Sequence, residues 1–334
     1  MSQVVNGHEQ TRAAVRGLYA PIAKEMVQVE ELLARELRSE HPFVDELVRH
    51  GFRYGGKRLR PALLLLSAQA VGRVTEEHLT LAAVVEMIHT ATLIHDDVLD
   101  EAELRRHLDT INARYSNESS VLLGDYLFTH SFYLASTLET TFACRTIGQA
   151  TNIVCEGELR QIHHRGNLHL AETEYLAIID AKTAELTACS CRLGAHYAGA
   201  DEQLEEQLSR YGRNLGIAFQ IVDDLLDLLG DESTVGKSLG TDMEKGKATL
   251  PIIRALGTLA QNDRDDFLAV FDLPPAARRA ELLARLEATD ALEYTREKAR
   301  WYVEQAIADL ARLPASEARD ILQSLAEFVL AREL

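Results

Sequence analysis

The sequence predicts an all-α fold, a single large helical bundle of ten or more helices. Three observations predict it. Apolar residues recur at helical spacing in segment after segment, strand-like alternation is scarce, and only seven prolines interrupt 334 residues, none of them between Pro61 and Pro251. Hydrophobic residues make up 46% of the chain, enough for a sizeable core in one domain or two. A net charge of −17 and a pI near 5.2 argue against nucleic acid as a partner and against an anionic membrane surface. Any locally basic spot in so acidic a chain needs a specific reason.

In chain order, the opening MSQVVNGHEQTRAAV lacks the charged-then-apolar pattern of a secretory signal. Residues 1–15 read as a loose arm ahead of one domain over 16–334. The longest apolar runs, such as ALLLLSAQAV, fall short of the ~18 residues that a membrane span requires, so a cytoplasmic protein without stable membrane insertion is expected. Cys144, Cys155, Cys189 and Cys191 form no CxxC pair and read as reduced thiols in helices.

Residues 51–61, GFRYGGKRLRP, place Lys57, Arg58 and Arg60 after a Gly-Gly pair, with Pro61 suited to the first turn of the next helix. Flexible glycines, a helix start and clustered cations make an anion site. Leu81, Val84, Val85, Ile88 and Thr92 continue as an amphipathic helix into LIHDDVLDEAELRR at 93–106. There Asp96 and Asp100 share a helix face, and Asp97 sits about a quarter-turn aside. Arg105 and Arg106 follow one to two turns later. The segment IIDAKTAEL carries Lys182 and Thr183. A second amphipathic helix, through Leu215, Phe219, Val222, Leu226 and Leu229, contains QIVDDLLD, an echo of LIHDDVLD, with Asp223, Asp224 and Asp227 in the same spacing. Lys237 and Lys247 lie in the Gly-rich stretch after it, where backbone and ammonium can approach a phosphate closely.

Two apolar-flanked Asp-Asp-x-x-Asp helices facing each other would gather six carboxylates, untenable in a low-dielectric site unless cations resolve it. All-oxygen donors with room for water suit Mg²⁺, which takes one or two carboxylates and completes its shell with substrate phosphate oxygens. A solvated helix end would explain one motif better than two. A general acid/base pair needs two carboxyls and not two triplets. A di-iron site needs a Glu-x-x-His on each of two helices, and only Glu86 with His89 fits. His89 stands two turns before Asp96 on the same face, which favours a site role over core packing; His95 has no such support and reads as packing.

The order GGKRLRP, LIHDDVLDEAELRR, DAKTAEL, FQIVDDLLD and GKSLGTDMEKGKATLP resembles the trans-polyprenyl diphosphate synthases, from about residue 20 to the C-terminus. The resemblance implies an all-helical fold around a central cavity, a homodimer, and Mg²⁺, three per active site with substrate bound. It implies condensation of isopentenyl diphosphate with an allylic diphosphate. Carried over, Asp96, Asp100 and Asp223 would bind Mg²⁺ on the allylic diphosphate, supported by Asp97, Asp224 and Asp227. Arg105, Lys182, Lys247 and Lys237 would contact that diphosphate. Lys57, Arg60, His89 and Arg106 would hold isopentenyl diphosphate, with Arg58 nearby. Thr183 and Gln220 would line the reacting centre with Lys182. His107 departs from the glycine that commonly follows the paired arginines.

Product length should depend on the helix before Asp96. Short-chain members carry a bulky aromatic four or five residues before the motif; here Thr92 and Ala91 stand there, with Met87 and Ile88 one turn back. A tunnel past Ala91 and a product longer than geranylgeranyl diphosphate are expected, unless Phe128, Phe132 or Ile153 closes it and the enzyme makes geranylgeranyl or farnesyl diphosphate. A terpene cyclase shares the aspartates but needs no second diphosphate site, and GGKRLRP with His89 and Arg106 argues for one. A chain-length-tuning subunit tends to lose aspartates, and both triplets are intact. Tyr126–Leu134 offers an aromatic helix for a dimer interface.

Overall fold

The computed structural model describes residues 17–230, 243 and 245–332; the N-terminal arm and Lys237 lie outside them. The fold is all-α, with fifteen α-helices and one two-stranded hairpin among the described residues. Clustering of the backbone separates two compact units. The first runs through Thr151 and adds Leu186–Gly212 and Asp309–Leu325; the second comprises Asn152–Glu185, Arg213–Ala308 and the chain from Ala326.

The first unit is organised around two apolar helices. Helix α3 (Leu59–Val71) is buried nearly end to end, with Leu63, Leu64, Leu65 and Leu66 fully enclosed. Helix α4 (Glu76–Leu99) begins at Thr75, whose capping box with His78 satisfies backbone donors at that end. It packs against α3, against α1 (Ala23–Glu36) and, most extensively, against α6 (Asn117–Ser136). Helix α2 is Pro42–Arg53 and α5 the single turn Ile111–Arg114. His95 packs on α6, its Nε2 3.2 Å from the Val121 carbonyl oxygen.

The strand pair, Leu104–Arg105 with Leu108–Asp109, was not expected from a chain so poor in alternation. Arg106 and His107 are its two-residue turn, at φ of 50° and 64°. Positive φ at both central positions gives a hairpin turn whose twist matches the flanking strands. That settles the departure at His107: the position needs a left-handed backbone, and a histidine supplies it at about 1–2 kcal/mol more than glycine would.

The second unit holds α7 (Phe142–His163) from residue 152, α8 (Glu172–Ile179), a π-helical turn Asp180–Ala184, and α10 (Glu202–Leu229) from residue 213. Between that turn and α10 the chain passes through α9 (Glu185–Tyr197). Helices α11 (Leu250–Thr258), α12 (Gln261–Leu268), α13 (Pro275–Glu287) and α14 (Ala291–Asp309) follow, and α15 (Glu317–Ala331) ends the fold. Leu225 and Leu228 of α10 join Ile252, Phe267, Leu282 and Leu286 in one core cluster, which fixes the polar face of α10 that carries the second aspartate motif.

Candidate active site

In the first unit, Asp96, Asp97 and Asp100 crowd the C-terminal end of α4. A helix C-terminus already carries partial negative charge, so three carboxylates there oppose the dipole as well as each other. Asp97 turns inward and is 1% exposed. Its Oδ1 accepts a hydrogen bond from Arg105 Nε at 2.7 Å, while Oδ2 is buried with no hydrogen-bond partner among the described residues. Burial pushes the Asp97 carboxyl up to about 6 against the pull of Arg105, and Asp96 and Asp100 raise it further. Asp96 and Asp100 are half-buried.

The hairpin turn sends Arg105 back to Asp97 and Arg106 to the glycine loop. Arg106 Nη1 donates to the Tyr54 carbonyl at 2.8 Å and to that of Gly55. A Cβ on Gly56 would lie 2.8 Å from Arg106 Nη1, so the contact requires glycine there. Arg58, at φ of 48°, starts α3 and donates to Glu86 and Glu30, both at 2.6 Å. Arg60 Nε is buried without a hydrogen-bond partner among the described residues, and burial lowers its guanidinium to about 10. Lys57 is exposed on the same loop. His89 is held well below its usual range, first by burial and then by Arg60, Arg106, Arg105 and Arg58. Arg60, Arg106, Arg105 and Arg58 thus stand close enough to His89 to act on it, while Lys57 is on the loop that leads into Arg58. A neutral imidazole among guanidiniums in an acidic protein is the electrostatic signature of a place kept for an anion.

The His89 shift has a measurable sign. The unfolded chain binds a proton there near pH 6.5 and the folded protein only well below that value. Below about pH 6.5 the unfolded state therefore holds more protons, and stability falls as the pH drops. The stability advantage of the wild type over His89→Gln is expected to shrink between about pH 7.5 and about pH 5.5 in urea titrations. A constant difference contradicts this assignment.

Met87, Ile88 and Ala91 are buried on α4, and Thr92 is half-buried, its hydroxyl donating to the His89 carbonyl at 2.8 Å. On α6, the Phe128 and Phe132 rings stand 5.4 Å apart.

In the second unit, a chain of hydrogen bonds links three elements. Thr183 Oγ1 donates to Gln220 Oε1 at 2.9 Å, and Gln220 Nε2 donates to Asp224 Oδ1 at 2.8 Å. Tyr175 donates its hydroxyl proton to Asp224 Oδ2 at 2.6 Å. Asp224, 5% exposed, is therefore satisfied at both oxygens and points inward, as Asp97 does. Lys182 Nζ stands 2.5 Å from Glu158 Oε2. A cavity of about 100 Å³ is lined by Gln161, His164, Lys182, Thr183, Gln220, Asp224 and Lys247, among others. Asp223, on the outer side of the motif, accepts from Arg332 Nη2 at 2.6 Å, and the Arg332 guanidinium lies 4.3 Å over the Phe219 ring. Asp227 is half-buried one turn on.

Arg332, Tyr175 and Glu158 are partners that sequence reasoning missed. Nothing local marks them: each meets its partner across tens of residues, and a lone arginine near a chain end has no motif.

The donor set fits a hard divalent cation. Half-buried Asp96, Asp100 and Asp223 are oxygen donors on helix faces, and beside them Asp97 Oδ2 is buried without a hydrogen-bond partner among the described residues. No group of three or more His, Cys, Asp or Glu among the described residues is arranged to hold a metal by itself. Mg²⁺ uses few protein carboxylates and completes its shell with phosphate oxygens and water.

A family model described as polyprenyl synthetase matches residues 41–284. Over 312 residues the chain is 35% identical to octaprenyl diphosphate synthase of Escherichia coli (strain K12), spanning 93% of this chain and 97% of that one. Among solved structures it is similar to a decaprenyl diphosphate synthase from Rhodobacter capsulatus, with a TM-score of 0.90, 38% identity, and 96% and 99% of the two chains covered. It is also similar to a geranylgeranyl pyrophosphate synthetase from Pyrococcus horikoshii Ot3, with a TM-score of 0.88, 32% identity, and 95% and 99% coverage.

Proposed function

The chain belongs to the polyprenyl synthetase family and is a prenyltransferase, and from that premise we propose that it condenses isopentenyl diphosphate with an allylic diphosphate such as farnesyl diphosphate, giving an all-trans polyprenyl diphosphate longer than geranylgeranyl. The observation that carries the reading is the cluster of guanidiniums around His89, which suits a second diphosphate. A terpene cyclase has no use for it. Product length rests on the small residues Ala91 and Thr92 and on the octaprenyl and decaprenyl products named for two similar proteins. The Pyrococcus protein shares the fold under a shorter product's name, so the fold alone does not set length.

In this reading the chain acts as one catalytic domain. Asp96, Asp100 and Asp223 would hold Mg²⁺, three ions with substrate bound, and Asp97, Asp224 and Asp227 would support them. The metal, when bound, neutralises the charge that develops on the departing diphosphate. Arg105, Lys182, Lys247 and Lys237 stabilise that same charge from the protein side. Lys57, Arg60, Arg106 and His89 hold isopentenyl diphosphate so that its double bond stands about 3–3.5 Å from the allylic carbon. Thr183 and Gln220, locked to each other, line the reacting centre with Lys182. The carboxylates are committed to metal, so the released pyrophosphate takes the proton lost after the new carbon–carbon bond forms.

We also propose a cytoplasmic homodimer. No helix among the described residues is long and apolar enough to cross a membrane. Helix α6 exposes Val121, Tyr133 and Leu122, the last at 67%, alongside the aromatic stretch Tyr126–Leu134.

Chromatography of products from farnesyl diphosphate, isopentenyl diphosphate and Mg²⁺ tests the reading. The expected result is a chain longer than geranylgeranyl and no turnover without isopentenyl diphosphate. A geranylgeranyl end product would overturn the length, and conversion without isopentenyl diphosphate would overturn the reaction.

A further inference from the structure

Helix α8 does not run straight into α9. Between them, Asp180–Ala184 forms a π-helical turn, closed by the Glu185 amide donating to the Asp180 carbonyl five residues back. Such a turn holds one residue more than an α-helical turn, hydrogen-bonds less well, and persists where something compensates. It carries Lys182 and Thr183, both on the wall of the cavity.

Three contacts hold it. The Arg213 guanidinium spans its two ends, Nη1 donating to Asp180 Oδ1 and Nη2 to Glu185 Oε2, both at 2.5 Å. Gln220, two turns further along α10 on the same face, takes Thr183 in the middle. From the other side α7 presses close: a Cβ on Gly157 would lie 2.8 Å from both Ala181 Cβ and the Lys182 amide nitrogen, and neighbouring Glu158 takes Lys182 Nζ.

We propose that Arg213 is a positioning residue for the transfer step, clamping the π-turn so that Lys182 and Thr183 face the cavity. The proposal rests on the reading that these two side chains meet the allylic diphosphate. Arg213 is not among the residues that line the cavity; it neutralises two carboxylates, Asp180 and Glu185, that would otherwise repel across the turn. Without it the turn relaxes to α geometry, which rotates the residues that follow by roughly one α-helical step, about 100°. That breaks the Thr183–Gln220 bond. The planar fork matters, because a lysine at 213 reaches one carboxylate and not both.

Steady-state kinetics on the full-length enzyme with farnesyl diphosphate, isopentenyl diphosphate and Mg²⁺ test it. Arg213→Met is expected to lower kcat about 10- to 100-fold, the scale of a 1 Å misplacement. The KM for isopentenyl diphosphate should stay unchanged, because Lys57, Arg60, His89 and Arg106 lie in the other unit. Arg213→Lys should fall between. Adding Asp180→Asn and Glu185→Gln to Arg213→Met removes the repulsion and should recover most of the lost kcat. Hydrogen exchange at the Glu185 amide should speed up in Arg213→Met and in Arg213→Lys. Unchanged kcat in folded Arg213→Met overturns the proposal, as does a kcat loss that the triple variant does not recover. If Arg213→Met does not fold, Arg213→Lys decides: unaltered exchange at Glu185 with wild-type kcat overturns it. Lys182→Ala separates the two levels. If that variant keeps wild-type kcat, the reading of the cavity fails, whatever Arg213 does.

Discussion

Asp96→Ala and Asp223→Ala each lower kcat by about 10³-fold or more, which is roughly 4 kcal/mol of transition-state stabilisation at 1.36 kcal/mol per decade. The melting temperature changes little in Asp96→Ala, a half-buried side chain outside the core, whereas Asp223→Ala also removes the 2.6 Å pair with Arg332 and lowers stability. The inward pair behaves differently. Asp224→Ala strands the Tyr175 hydroxyl and the Gln220 amide, and each unsatisfied buried group removes about 1–3 kcal/mol of stability. Activity and stability should therefore fall together at 224, activity alone at 96, and at 223 activity with the smaller stability loss of the Arg332 pair. Steady-state rates and thermal melts on the same preparations check this. Wild-type kcat in Asp96→Ala or Asp223→Ala would remove the metal assignment.

Ala91→Phe shortens the longest product. Ala91 is fully buried on α4, between Asp96 and the Met87–Ile88 turn. In the proposed reading the growing chain passes Ala91 towards the helix N-terminus, and an aromatic ring there would fill that route. Overpacking a buried position also removes about 1–3 kcal/mol of stability, so the melt is read beside the product profile. Thr92→Phe, at a half-buried position, makes the same test with less strain. Farnesyl diphosphate should still be consumed at a rate near the wild type, with the product distribution moved towards geranylgeranyl. An unaltered distribution in both variants would place the length determinant elsewhere, with Phe128 and Phe132 the next positions to vary.

Helical periodicity announced the long elements. Helices α4 and α10 are where Leu81–Thr92 and Leu215–Leu229 put them; i, i+3, i+4 spacing marks the buried stripe of α10, while α4 is buried all round from Leu81 to Ile88. Spacing also foretold that Asp97 and Asp224 would differ from their neighbours, and both turn out to be the buried members. The hairpin at 104–109 was illegible because its turn uses arginine and histidine where glycine or asparagine would signal it. The π-turn was illegible for the opposite reason: DAKTA reads as ordinary helix, and the Arg213 that pairs with both of its ends lies some thirty residues away. The long-range partners Arg332 with Asp223 and Glu158 with Lys182 depend on how helices meet, which no local pattern encodes. The division into two compact units follows from chain crossings and leaves no mark in composition.

A crystal structure of the enzyme with Mg²⁺ and a non-reactive thiolo analogue of farnesyl diphosphate is the most direct measurement. The account predicts metal ions bridging the analogue's diphosphate to Asp96 and Asp100 on one side and Asp223 on the other. It would be contradicted by a diphosphate bound away from the two aspartate helices, or by metal ions reaching only one of them.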